Sequence, residues 1–86
     1  MIFNNHTREI MKKNYEEMEH WIVANILKRG LENEDAITLA LDLENNEEAA
    51  DQVMKYLKQA PMTQRPRAVL TEANRIAFKI AKGREI

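Results

Sequence analysis

Apolar residues recur at three- and four-residue spacing through the first third of the chain, at Met11, Tyr15, Met18, Ile22 and Ile26. Ile10, Trp21 and Leu27 widen the stripe. This is the period of a helix with one face turned to a core. It predicts a long N-terminal helix over about residues 7 to 29, roughly 33 Å at 1.5 Å per residue. Gly30 is placed to take the left-handed conformation that closes it, with Leu31 folding back on Ile26, while Lys28 and Arg29 suit the negative end of the helix dipole.

The pattern then resumes in shorter pieces. Asn33 is a candidate N-cap for a second helix over about 34 to 43, with Ile37, Ala40 and Leu41 as its apolar face. Asn45 or Asn46 can cap a third over about 47 to 59, where Ala50, Val53, Met54 and Leu57 keep the helical period. Pro61 stops that helix, because proline lacks the amide hydrogen and restricts the residue before it. A fourth helix over about 66 to 82 can begin at Pro66, where a missing donor costs nothing. Its buried face would be Val69, Leu70, Ala73, Ile76, Ala77 and Ile80. Gly83 is its expected C-terminal cap, with Arg84, Glu85 and Ile86 fraying beyond. Short links between amphipathic helices favour antiparallel neighbours. The expected fold is all-α, a compact four-helix domain.

Composition narrows this picture without changing it. Eighty-six residues allow one core, so residues 1 to 86 are expected to form a single helical domain. With no cysteine, neither a disulfide framework nor a thiolate metal site is open to the chain, which suits a reducing compartment. The opening Met1-Ile2-Phe3-Asn4-Asn5-His6 has no basic region and the chain has no long apolar run. The expectation is therefore a cytoplasmic protein with no membrane partner. Asn5-His6-Thr7 matches the glycosylation sequon, but without a route to secretion it carries no weight.

Charge is laid out more unevenly than the net value of −1 suggests. Residues 31 to 52 hold Glu32, Glu34, Asp35, Asp42, Glu44, Glu47, Glu48 and Asp51 and no Lys or Arg. Most of these sit near the starts of two short helices, where carboxylates favour the positive end of the dipole. A sharper reading takes Glu34, Asp35, Glu44, Glu47, Glu48 and Asp51 as an acidic docking face for a basic partner, or as a mimic of a nucleic-acid backbone. The last helix carries the opposite sign, with Arg65, Arg67, Arg75, Lys79 and Lys82 as a candidate basic face. Those residues either pair with the acidic helices, in the same chain or a neighbouring one, or bind phosphate.

Tests for defined chemistry fail one after another. A helix-turn-helix over residues 34 to 59 would lead its recognition helix with Glu47, Glu48 and Asp51, the wrong sign for a phosphate-lined groove. Glu17-x-x-His20 has the ligand spacing of a carboxylate-bridged metal site, but there is one copy and the helical phase turns His20 away from the core. A calcium loop started at Asp42 would need glycine where Glu47 stands and a carboxylate where Val53 stands. There is no phosphate-binding glycine loop or nucleophile elbow, and with two histidines no nucleophile and base can be assembled. No cofactor, metal or small-molecule substrate is implied. What remains is a non-enzymatic helical adaptor or regulator that binds another protein or a second copy of itself. Tyr15, Met18 and Trp21 on the long helix are the candidate partner or dimer surface. The alternative is a nucleic-acid-binding regulator that uses the basic last helix.

Overall fold

The computed structural model describes the chain from residue 5 to residue 83, and side-chain surroundings from Tyr15 onward. Four α-helices follow one another: α1 (Asn5–Lys28), α2 (Asn33–Asp42), α3 (Glu47–Gln59) and α4 (Pro66–Gly83). No strand occurs among the described residues. The expected all-α, four-helix architecture is the one observed. Ile10, Met11 and the terminal Arg84, Glu85 and Ile86 lie outside the described side chains.

Local chemistry accounts for the boundaries. Gly30 takes φ 96°, a left-handed turn open to a residue without a Cβ. Leu31 is half-buried against the core that includes Ile26. The start of α2 corrects the expectation for Asn33, which is the first helical residue; the cap is Glu32, in extended backbone at φ −82° and ψ 158°. The Asp35 carboxylate, three residues on, accepts the Glu32 amide at 3.4 Å, the return arm of a capping box. At α3 the two asparagines divide the work. Asn45 turns the chain at φ 60°, a conformation asparagine tolerates, and Asn46 Oδ1 accepts the Ala49 amide at 3.0 Å. Gly83 is the last residue of α4 and does not have a positive φ, so the left-handed cap expected there is not formed.

The substantial interfaces are α3 on α4, α1 on α3, α1 on α2 and α2 on α4. The helices thus close into a ring, with α1 opposite α4 and α2 opposite α3. Ile22, Ile26, Leu39, Leu43, Val53, Leu57 and Val69 are its largest fully buried side chains. Small residues, Ala36, Ala49, Ala50, Ala73 and Ala77, fill the space between them and let the backbones approach. The faces expected for α3 and α4 hold, with Met54, Ile76 and Ile80 half-buried at the margins. Two expectations do not. Leu27 lies outside the stripe, 38% exposed. The buried face of α2 is Ala36, Leu39 and Leu43, while Ile37 and Leu41 are 57% and 63% exposed.

Arg29 is the least expected member of the interior. It is buried, and its guanidinium serves another helix rather than the end of its own. Nε donates to Asn25 Oδ1 at 2.7 Å. Nη1 donates to the Pro61 carbonyl at 3.0 Å, and Nη2 to the carbonyls of Leu57 and Ala60 at 3.0 and 2.9 Å. In a continuing helix the Leu57 carbonyl would accept from residue 61, and proline has no hydrogen to give. The arginine of α1 replaces that donor and places positive charge at the negative end of α3.

Candidate protein-binding groove

Because α2 spends Ala36, Leu39 and Leu43 on the core, its second apolar stripe faces away from it. Ile37 and Leu41 stand one turn apart on that stripe, and beside them α1 presents Val23. With Ala40 these form the apolar floor of an open groove of about 740 Å3 between α1 and α2. Its edges are Tyr15, Glu16 and Glu19 from α1, and Glu44 and Asn45 from the turn after α2. Among the described residues no lysine or arginine lines it. Among the described residues no salt bridge engages Glu16, Glu19 or Glu44.

Tyr15 fixes one end of the groove. Its hydroxyl donates to the Leu43 carbonyl at the C-terminus of α2, tying the two helices that form the walls. Burial raises the phenol pKa above its ordinary value, and the negative charge of Glu19 raises it further. The tyrosine therefore keeps its proton, and this bond, throughout the neutral range.

The other two residues of the expected α1 surface look elsewhere. Met18 and Trp21 are half-buried against the core. The Trp21 ring lies under Lys58 of α3, with Nζ 5.6 Å from its centroid, so it belongs to the opposite flank of α1 from Glu19 and Val23. Tyr15 and Trp21 do not share one patch.

The acidic residues separate in the same way. Glu34, Glu47 and Glu48 are exposed. Asp51 pairs with Lys55 on its own helix at 3.0 Å. Asp35 meets Arg67 at 3.5 Å, a contact between the acidic and basic segments within one chain. Of the acidic residues singled out from the sequence, only Glu44 reaches the groove, where it joins Glu16 and Glu19.

Arg65, just before α4, and Arg67, Arg75, Lys79 and Lys82 on it are all exposed. Arg75 pairs with Glu72 of the same helix at 3.6 Å. Lys79 lies instead at a second depression between α3 and α4, beside Glu48, Tyr56 and Ile80. The basic face also contains a residue that charge alone did not indicate. Phe78 is 67% exposed, the most exposed of the large apolar side chains among the described residues, with Lys82 Nζ 5.9 Å from its ring centroid.

Glu17 and His20 both point to solvent. No group of three His, Asp or Glu side chains converges to hold a metal ion among the described residues. None of the described helices is long and apolar enough to cross a membrane. No known protein family, curated protein or solved structure matches this chain.

Proposed function

We propose that this protein is a non-enzymatic helical adaptor or regulator that works by binding protein through the α1/α2 groove. The observation that carries the reading is the exposure of Ile37 and Leu41, at 57% and 63%, beside Val23. A ten-residue helix with a complete buried face needs no second apolar stripe for folding. Two large side chains in adjoining turns, rimmed by charge, form a contiguous patch rather than scattered surface residues. The groove is shaped for an apolar anchor, and its carboxylates favour a partner that brings positive charge.

The nucleic-acid reading has less support. Arg67 and Arg75 are each engaged by a carboxylate, and the exposed Phe78 makes the basic face partly apolar. A chain of net charge −1 also has little excess charge to drive counterion release.

Capture from a native extract on immobilised wild-type protein, Leu41→Asp and Arg75→Glu tests the choice. The adaptor reading predicts a retained protein that is lost on Leu41→Asp. Retention indifferent to Leu41, together with salt-sensitive binding of labelled DNA or RNA lost on Arg75→Glu, would replace it with the nucleic-acid reading.

A further inference from the structure

We infer that the groove receives the Phe78 face of α4 from a second copy of this chain, in a reciprocal dimer. The inference rests on the groove being a protein-binding site and names its occupant. The two patches complement each other in shape and sign. The groove offers an apolar floor edged by Glu16, Glu19 and Glu44, with no basic side chain among the described residues that line it. The outer face of α4 offers one uncovered aromatic ring between Arg75 and Lys82, which lie three and four residues from Phe78 on the same side of the helix. At about 740 Å3 the groove has room for that ring and for the aliphatic stems of its neighbours, whose charged ends can then reach the carboxylates at the rim.

Topology permits the contact to be mutual. Arg67 and Phe78 are about three turns apart on α4 and so share a face. Arg67 is held to Asp35 of α2, which sets Phe78 on the α2 side of α4. Ile37 and Leu41 form the outer stripe of the same α2. Groove and ring therefore flank the exposed side of one helix. A two-fold axis beside α2 brings each ring to the other copy's groove and closes the assembly at two chains. Within one chain Phe78 stays exposed and Arg75 pairs with Glu72 of its own helix, so neither is engaged by the groove. The patches are small, so the dimer should be weak, with a Kd in the micromolar range, about 1 to 100 µM.

Sedimentation velocity of the full chain, at concentrations from about 5 to 500 µM spanning that range, tests the inference. Three proteins are compared: wild type, a groove variant with Glu16→Lys and Glu44→Lys, and a helix variant with Arg75→Glu and Lys82→Glu. All the altered positions are exposed, and circular dichroism checks that each variant keeps its helices. Wild type should dimerise in this range, more weakly at high salt, and each variant alone should associate at least about tenfold more weakly. An equimolar mixture of the two variants should recover association, because both reciprocal contacts then regain opposite charge. A wild-type monomer throughout, or a dimer that neither charge set weakens, would overturn the inference. If the wild type is monomeric and a different protein is captured in a Leu41-dependent manner, the groove reading stands and the second copy is excluded as its occupant.

Discussion

The two short helices, α2 and α3, open alike and end in different roles. Each begins with acidic residues in its first turn behind a polar cap. From there α3 commits Ala49, Ala50, Val53 and Leu57 to one stripe and leaves its outer face polar, with Asp51 bonded to Lys55. α2 divides its apolar residues between Ala36, Leu39 and Leu43 inside and Ile37 and Leu41 outside. The contrast separates what folding requires from what it does not. α3 is accounted for by packing and capping alone, whereas Ile37 and Leu41 of α2 stand outside the core that the described residues form.

The largest expected effect sharpens that contrast within α2. Leu39→Ala empties a fully buried site and should lower unfolding stability by about 2 to 5 kcal/mol in denaturant titration. Leu41→Ala, two residues away, should change it by no more than about 0.5 kcal/mol. Comparable losses at both positions would mean that the outer stripe supports the fold after all.

Next in size is the clamp that makes α3 self-sufficient. Arg29→Met keeps most of the apolar stem but leaves the carbonyls of Leu57 and Ala60 without their side-chain donor, while Pro61 still accepts the Gln64 amide. It should cost roughly 1 to 3 kcal/mol, with loss of amide-exchange protection centred on the end of α3. An unchanged midpoint would show that water satisfies those carbonyls equally well.

A smaller difference separates the helix starts. Asn46→Ala removes the side-chain cap of α3 and should cost about 1 kcal/mol. Glu32→Ala should cost less, since the Asp35 arm of the α2 cap accepts the backbone amide of residue 32 and survives the change. Thermal melts of the two variants give the order directly.

The smallest effect concerns Tyr15. A group whose pKa is raised on folding adds stability that is complete below its unfolded pKa, near 10 for tyrosine, and lost as pH rises through the folded value. The wild-type melting temperature should therefore fall above about pH 10 more steeply than that of Tyr15→Phe. Parallel curves for the two proteins would remove Tyr15 from the account of that alkaline loss.

Most of the architecture is legible in the sequence because α1, α3 and α4 each carry one dominant apolar phase. The error lies in α2, where two phases compete. Within the helix itself Ile37, Ala40 and Leu41 are bulkier than Ala36 and Leu39, so apolar bulk favours the outer face. The discriminating signal is present in the next turn: the Ala36 and Leu39 phase continues to Leu43, whereas the Ile37 and Leu41 phase runs into Glu44. Arg29 was hidden for a different reason. That Pro61 leaves the Leu57 carbonyl without its helical partner can be read from the chain, but which cation comes to it depends on how α1 crosses α3. Of the expected α1 surface, only Tyr15 reaches the groove. The two phases of α1 lead to different neighbours, and spacing alone does not say which helix lies on which flank. Phe78 stands outside the Val69, Leu70, Ala73 and Ala77 stripe of α4, and nothing in its spacing from the basic residues marks it as a contact.

The claim that the outer stripe of α2 is covered by a second copy is tested most directly by amide NMR spectra of the wild-type chain over a dilution series. The account predicts concentration-dependent shifts concentrated at Val23, Ile37, Leu41 and Glu44 and, on the other patch, at Arg75, Phe78 and Lys82. Spectra that do not change with concentration, or shifts centred on Trp21 and Lys58 instead, would contradict it.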